Sequence, residues 1–456
     1  MKFIPSLDPH FAPMSLVLDE YVRRTSSLSH HTLYVTVERN DGYNYAFTLP
    51  VSDSAEDLPE AKRMAERMVK SVLWVVGGFK VYVAGDKDIF DHIHSAYSPS
   101  GTREFDYYFM QRVYEKPFEV LYVEVDQLPP EKKCTMAIGG HLDGCRIGFD
   151  AGGSDRKVSA VIDGEVVYSE EVVWSPKLMS DPNYHYGEIL TAMKTAASKM
   201  PRVDAIGVSS AGVYVNNRIM VASLFVKVSD EDFERQVKTM YIDVAREMGE
   251  DIPLEVANDG DVTALAGAQE LGCGKVLGVA MGTSEAVGYI NAEGGLNGWL
   301  SELAFVPVDY NLDAMRDEWS GDIGCGVKYF SQDGVIKLAE AGGHRFAEGL
   351  SPAEKLKEVQ QMMKDGNPLA REIYENIGIY LGYALPFYAK FYEIDHVLIL
   401  GRVTSGEGGD IIMSTARRVL SEEFPALSIS LSTPDETNRR VGQSIAAASL
   451  APSKKS

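Results

Sequence analysis

The stretch that decides the fold begins Leu254-Glu255-Val256-Ala257-Asn258-Asp259-Gly260-Asp261 and continues in small residues to Leu271. An apolar strand over 254–257 is followed at Asn258-Asp259 by a helix predicted over 261–271. In open α/β sheets, ligands bind outside the carboxyl ends of the strands. The Asp259 carboxylate is therefore predicted to reach a ligand and to serve as a general base. A helix N-cap is the alternative role, but Asp261 lies closer to the helical run and is the better cap candidate.

Two glycine-rich turns flank this stretch, one after a strand at 145–151 and one after a strand at 276–281. Their residues are Gly152, Gly153 and Ser154 in the first turn and Gly282, Thr283 and Ser284 in the second. Glycine tolerates positive φ and close approach of a ligand, and consecutive N–H groups in such turns form anion-binding concavities. One turn alone would be read as a plain hairpin, whereas two at matching places indicate phosphate binding. Lys157 either reaches a phosphate or is a solvated strand end.

Further polar residues stand in apolar surroundings. Burying the Asp150 carboxylate is costly unless it is paired or coordinates a metal. A turn-capping role is possible, and a water-mediated contact to Mg²⁺, which keeps several waters, is favoured. Asn258 and Glu302 are expected to hydrogen-bond substrate hydroxyls. Ser210 and Gly212, at a strand end, either contact substrate or form an ordinary turn.

Length and composition narrow the class of protein. A chain of 456 residues exceeds what one hydrophobic core usually supports, so two or three domains are expected. The formal net charge of -22 disfavours nucleic acid and anionic membranes as partners. Four cysteines without paired spacing predict a reducing, cytoplasmic location. The sequence shows neither a signal-peptide pattern nor an apolar run long enough for a bilayer.

Strands alternate with helices from residue 145 onward, which predicts an α/β fold with parallel sheet. The predicted division is an N-terminal α+β domain of unknown role at 1–143, a first lobe at 144–259 and a second lobe at 260–435. A C-terminal helix at 436–456 is predicted to join the first lobe. The longest helix is predicted at 368–393 and is apolar around much of its circumference, so we expect it to be buried.

The order and spacing of the motifs resemble the ROK family of sugar kinases and repressors, within the actin-type ATPase superfamily. The family's Asp-x-Gly-Gly-Thr opening is similar to 150–154, its Asn-Asp catalytic motif to 258–259, and its second phosphate turn to 282–284. Its Gly-x-x-Gly-Glu-Ile-Gly-His stretch is similar to 298–305, and its adenosine-side Leu-Gly-Gly-Gly-Val to 400–403. The resemblance covers about two thirds of the chain. It implies two ribonuclease-H-like lobes around a cleft, preceded by the extra N-terminal domain.

The resemblance also implies an activity. We expect an ATP-dependent carbohydrate kinase that transfers the γ-phosphoryl group to a hexose or polyol hydroxyl, with Asp259 as base. ATP and Mg²⁺ are the expected cofactors, and Gly401 is expected on the adenosine side. The expected partners are a small-molecule sugar or polyol and further copies of the chain in a homo-oligomer, with neither nucleic acid nor membrane.

The chain departs from the family pattern at its zinc motif. Only Cys325 remains, Phe305 stands where the motif has His, and Val327 stands where a sugar-contacting Glu often lies. One thiolate cannot complete a four-ligand structural site, so no structural zinc is expected. The missing ligands favour an alternative to the kinase, namely a non-catalytic sugar or nucleotide sensor on the same fold. A polymerising or chaperone-like ATPase of the same superfamily would not explain Glu302. A repressor is disfavoured by the net charge of -22 and by the absence of a DNA-reading helix pair.

Overall fold

The computed structural model describes residues 1–133, 138–433, 442–443 and 445–453. The chain divides into two compact units. The first unit comprises Met1–Cys134, Val279–Val287 and Trp299–Ser432, and the second comprises Thr135–Gly278, Gly288–Gly298 and Thr433–Ser456. The division of the chain into domains at 143/144 and 259/260 stays a prediction.

The N-terminal part of the first unit is an α+β assembly. Its elements are α1 (Met14–Ser26), β1 (His30–Glu38), β2 (Asn44–Ser52), α2 (Leu58–Val75), β3 (Lys80–Ala84), α3 (Lys87–Ala96), α4 (Glu104–Tyr114) and β4 (Glu119–Tyr122). The sheet order is β2-β1-β3-β4, with β1 antiparallel to β2 and β3, and with β3 parallel to β4. Helix α2 is buried on all sides along its last three turns, including the charged Glu66, Arg67 and Lys70.

This N-terminal part shares its packing with the later segments of the same unit. The indole of Trp74, at the end of α2, lies 4.3 Å from the ring of Phe305. The backbone N–H groups of Ser301 and Glu302 donate to the carbonyls of Val75 and Trp74, each at 2.9 Å. The last carbonyls of α2, which have no partner inside the helix, therefore fix the backbone of the 301–302 segment.

The second unit is built on a five-stranded sheet with the order β11-β8-β5-β6-β7. Its elements are β5 (Cys145–Ala151), β6 (Asp155–Ile162), β7 (Glu165–Val173), α5 (Pro182–Ala197), β8 (Ala205–Ser210), β9 (Val213–Val215), β10 (Arg218–Val221), α6 (Asp230–Asp232), α7 (Met240–Met248), β11 (Leu254–Asn258) and α8 (Asp259–Leu271). Strands β5, β8 and β11 are parallel, whereas β6 and β7 continue from β5 as an antiparallel meander. The fully buried Ile147, Phe149 and Val208 lie in the core of this sheet.

A second four-stranded sheet and a group of helices complete the chain. The elements are β12 (Val276–Met281), β13 (Glu285–Ile290), α9 (Gln332–Ala341), α10 (Pro352–Lys364), α11 (Pro368–Tyr388), β14 (His396–Leu400), α12 (Glu407–Glu423) and β15 (Ser430–Ser432). The sheet order is β13-β12-β14-β15, with β14 parallel to β15. Helix α11 is buried over its last thirteen residues, which confirms the burial expected for the longest predicted helix.

Some elements of the structure differ from those predicted from the sequence. Helix α1 had no counterpart in the prediction, and the chain between α6 and α7 forms a π-helical turn at Phe233–Val237. The helix predicted at 436–456 lies largely outside the described residues. None of the helices in the described ranges combines the length and the apolar character that crossing a bilayer requires.

Candidate functional site

The parallel strands of the second unit end side by side, and their ends hold several predicted site residues. Asp150 on β5 is in register with Ser209 on β8. Asn258 on β11 is in register with Ser210 on β8. Because adjacent parallel strands carry their carboxyl ends to the same sheet edge, the structure brings Asp150, Ser210 and Asn258 together.

Asn258 is the N-cap of helix α8, so the assignment of that role to Asp261 was wrong. Its Oδ1 accepts from the N–H of Gly260 at 2.8 Å, and its Nδ2 donates to the carbonyl of Gly212 at 2.7 Å. Asp261 lies inside the first turn, where its carboxylate accepts from the N–H of Tyr289 at 3.3 Å. Both polar ends of the Asn258 amide are thus engaged in fixing the start of α8, and with it Asp259.

Asp259 is the first residue of α8, and its carboxyl group is desolvated. Burial raises the pKa of Asp259, and the nearby charge of Asp150 raises it further, against the opposing hydrogen bond from the N–H of Gly260 at 3.0 Å. A carboxylate with a raised pKa accepts a proton more readily than an exposed one. Asp259 therefore has the environment of a general base.

Asp150 and Lys157 form a second charged group at this edge. The hydroxyl of Ser209 donates to Asp150 at 2.8 Å, and burial raises the pKa of Asp150 despite that bond. The Nζ of Lys157 lies 3.9 Å from Asp150 and 3.3 Å from Asp155. Lys157 is therefore placed between two carboxylates. Across the described ranges, no group of three or more His, Cys, Asp or Glu side chains could hold a metal ion.

Ser210 and Gly212 support the strand ends. The hydroxyl of Ser210 is fully buried and accepts from the hydroxyl of Tyr241 at 3.1 Å. Gly212 has a φ of +143°, and a Cβ there would collide with the carbonyl of Val221. The loop after β8 therefore requires glycine, and the carbonyl of that glycine holds Asn258.

The first glycine turn, at 152–154, is fastened by Trp174. The indole N–H donates to the carbonyl of Gly152 at 2.8 Å, and the backbone N–H donates to that of Ser154 at 3.1 Å. Neither glycine of this turn has a φ in the left-handed region, so the conformational reason predicted for them was wrong. The requirement is space, because a Cβ on Gly152 would lie 2.6 Å from the carbonyl oxygen of Asp155.

The second glycine turn belongs to the first unit. The N–H of Gly282 donates to the carbonyl of Ser284 at 3.0 Å, and the carbonyl of Gly282 accepts from the N–H of Gln332 at 2.9 Å. A Cβ on Gly282 would meet only the Ser284 carbonyl, at 3.7 Å. Gly401, at the end of β14, has a φ of +105°, and a Cβ there would collide with the backbone of Met281. The structure thus brings Gly401 to the strand that leads into this turn.

Glu302 also lies in the first unit, next to an unusual backbone position. Ser301 has a φ of +52°, and the 301–302 backbone is bound to the end of α2 as described above. Glu285 is buried, and burial followed by the charge of Glu302 raises the pKa of Glu285 to about 8. Sequence reasoning missed Glu285. The signal available was a glutamate that directly follows the Gly282-Thr283-Ser284 turn.

The region around Cys325 is organised by ion pairs. The Sγ of Cys325 lies 3.5 Å from the carboxylate of Asp322, and burial raises the pKa of the thiol to about 12. Asp322 accepts from Arg67 at 2.6 Å and lies 3.4 Å from Lys70 and 2.5 Å from Arg103. The three cations hold the pKa of Asp322 well below its usual range. A protonated thiol is a poor metal ligand.

Comparison with solved structures identifies the class of fold. No protein-family profile matches the sequence, and no curated protein matches it. The structure is similar to a ROK hexokinase from Thermus thermophilus, with a TM-score of 0.52 and 16% identity over 66% of this chain and 97% of that one. It is similar to a ROK transcriptional regulator, a homologue of the Escherichia coli MLC protein, with a TM-score of 0.50 and 16% identity over 68% of this chain and 79% of that one. A ROK glucokinase from Streptomyces griseus, solved with glucose and AMPPNP, gives a TM-score of 0.49 and 19% identity over 68% and 99%.

The chain therefore has the α/β fold of the actin-like sugar kinases. Within that class, the structures it matches are sugar kinases of the ROK family and a ROK regulator, over about two thirds of its length. The predicted fold class and the predicted resemblance are confirmed at this level.

Proposed function

We propose that the protein is an ATP-dependent carbohydrate kinase of ROK type, which transfers the γ-phosphoryl group of ATP to a hydroxyl of a hexose or polyol. The observation that carries the proposal is Asp259, a desolvated carboxylate with a raised pKa at the end of a parallel strand and the start of a helix. A ROK hexokinase with the same fold supports the choice of reaction.

In this proposal Asp259 accepts the proton of the attacking hydroxyl. Phosphoryl transfer depends mainly on positioning and charge stabilisation, so one well-placed carboxylate is sufficient as base. Glu302 accepts hydrogen bonds from acceptor hydroxyls. Asn258 and Gly212 hold Asp259 in place through their mutual bond, and the second N–H of the Asn258 amide is the group left for the acceptor. Ser210 supports them from the next strand.

The two glycine turns take the nucleotide phosphates through backbone N–H groups, and Gly401 lies on the adenosine side. The single carboxylate of Asp150, hydrogen-bonded to Ser209, suits a magnesium ion held through water that accompanies ATP. Such an ion neutralises phosphate charge when bound. A homo-oligomer and a cytoplasmic location are part of the same proposal.

A second candidate is a sugar or nucleotide sensor that binds its ligands without turnover. The ROK regulator that shares the fold favours it, as does Phe305, whose ring packs on Trp74 where the family motif has His. With a regulator among the matched structures, the predicted lack of nucleic-acid binding stays a prediction.

The test is sugar-dependent ATP consumption. Purified protein is offered a panel of hexoses, amino sugars and polyols with Mg-ATP, and ³¹P NMR identifies any phosphorylated acceptor. Asp259→Asn, which keeps the shape of the side chain, is the matched control. Ligand binding by calorimetry without any phosphorylated product would reject the kinase and support the sensor.

A further inference from the structure

The turn between β5 and β6 presents N–H groups that the protein itself does not use. Its end carbonyls, those of Gly152 and Ser154, are both taken by Trp174. Across the described residues, the N–H groups of Gly153 and Ser154 donate to no protein acceptor. Exposed, unused N–H groups in a tight turn attract anions.

The side chain of Lys177 lies next to this turn, and the backbone just before it is held by hydrogen bonds. Lys177 is the middle residue of a single 3-10 turn, Pro176–Leu178, that begins two residues after the buried Trp174. The carbonyl of Pro176 is hydrogen-bonded to the ring of His185 at 3.0 Å, and the N–H of Ser175 donates to the hydroxyl of Tyr184 at 3.0 Å. The two residues before Lys177 are therefore held by hydrogen bonds, while the side chain of Lys177 remains exposed.

The ammonium group of Lys177 reaches the glycine turn. A Cβ built on Gly153 would lie 3.2 Å from both Cε and Nζ of Lys177. In the part of the chain that the structure describes, Lys177 forms no ion pair. Lys157, the lysine nearest in sequence, is instead placed between Asp150 and Asp155. The cation available at this turn is Lys177.

We propose that Lys177, with the N–H groups of Gly153 and Ser154, binds the phosphate chain of the nucleotide. This inference rests on the proposed function, in which the first turn holds ATP phosphates, and it adds a residue from outside the glycine motif. The ligand chemistry is a polyphosphate anion. A lysine ammonium suits it because it is a compact charge with three donors, and Lys157 neutralises Asp155, which would otherwise repel the anion.

Gly153 has a defined part in this arrangement. An alanine methyl there would occupy the space beside the end of the Lys177 side chain. That end is flexible, so Gly153→Ala should displace the ammonium group without unfolding the unit. The two substitutions, Lys177→Met and Gly153→Ala, therefore perturb one site by independent routes.

The experiment measures binding and chemical protection on the full-length protein. Tripolyphosphate and ATP affinities are determined by calorimetry for wild type, Lys177→Met, Gly153→Ala and Lys227→Met. Lys227 is the matched control, because it is an exposed lysine of the same unit. In parallel, lysines are labelled with an amine-reactive reagent with and without tripolyphosphate, and labelling is quantified by mass spectrometry.

We expect Lys177→Met to weaken both affinities about tenfold, less at high salt, and Gly153→Ala to weaken them in the same direction. Tripolyphosphate should protect Lys177 but not Lys227. Unchanged affinity in Lys177→Met, or equal labelling of Lys177 with and without the anion, would overturn the inference even if the protein proves to be a sugar kinase. Protection of Lys177 in a protein that phosphorylates no acceptor would uphold the anion site and reject the proposed function. A wild type that binds neither anion would reject both.

Discussion

Replacing Asp259 by Asn should lower sugar-dependent turnover by about 10²- to 10⁴-fold, the range that general-base catalysis contributes. The carboxylate accepts the N–H of Gly260 at 3.0 Å, and an asparagine carbonyl can accept the same bond. The fold and the nucleotide affinity should therefore be retained while the proton acceptor is lost. Because burial raises the pKa of Asp259, the wild-type rate should also fall as pH is lowered through a value above that of an ordinary aspartate.

Asp261→Asn is the matched control, two residues further along the same helix. Asp261 is half-buried, and desolvation of its carboxyl group raises its pKa from 3.8 to about 7. Ionising it in the folded state therefore costs roughly 4 kcal/mol. For an acid whose folded-state pKa is raised, stability falls as pH rises from the unfolded value to the folded value. Asp261→Asn should thus keep near-normal turnover and gain stability at and above neutral pH.

The assay is steady-state kinetics with the best acceptor from the panel, together with thermal denaturation from pH 5 to pH 8. Asp259→Asn within tenfold of wild-type turnover would show that Asp259 is not the base. Equal losses of turnover in both variants, with intact folding, would show that burial of the helix start and not proton transfer sets the rate.

Three further predictions concern other parts of the chain. Gly401→Ala should destabilise the protein by about 1–3 kcal/mol, because its φ of +105° and the Met281 backbone exclude a Cβ. Gly282→Ala should lower the free energy of unfolding by about 0.5 kcal/mol or less. Equal losses for Gly401→Ala and Gly282→Ala in denaturant titrations would contradict the prediction. Asp322→Ala leaves the cations of Arg67, Lys70 and Arg103 without their shared partner. It should lower the free energy of unfolding by about 3–5 kcal/mol, whereas Glu348→Gln, at an exposed position, should leave it unchanged in the same titrations. Elemental analysis should find no stoichiometric zinc, because the Cys325 thiol has a pKa raised to about 12; one zinc per chain would show a site outside this reasoning.

The local sequence determined those strands and turns that depend on neighbouring residues alone. The strands predicted at 145–151 and 276–281 coincide with β5 and β12. The Asp163-Gly164 pair closes the hairpin between β6 and β7 with φ values of +49° and +84°, as Asp-Gly turns do. Alternation of strand and helix predicted an α/β class, and the resemblance of the glycine turns and the Asn258-Asp259 pair to the ROK motifs predicted the fold that the solved structures share.

Tertiary structure alone decided how the side chains at the site are used. Sequence spacing favoured Asp261 as the helix cap, but Asn258 is the cap. For Lys157 it left open a phosphate contact or a solvated strand end, and the structure places Lys157 between two carboxylates. Lys177 is distant from the glycine motif in sequence and reaches it only because the β6–β7 meander returns the chain to the turn.

The placement of the N-terminal segment was likewise beyond local rules. Its helix α2 binds the backbone of Glu302 through Trp74 and packs the same tryptophan on Phe305. Such contacts join residues more than two hundred positions apart, and their partners are chosen by shape and burial. Sequence periodicity shows which face of α2 is apolar, whereas only the packed structure shows what that face covers.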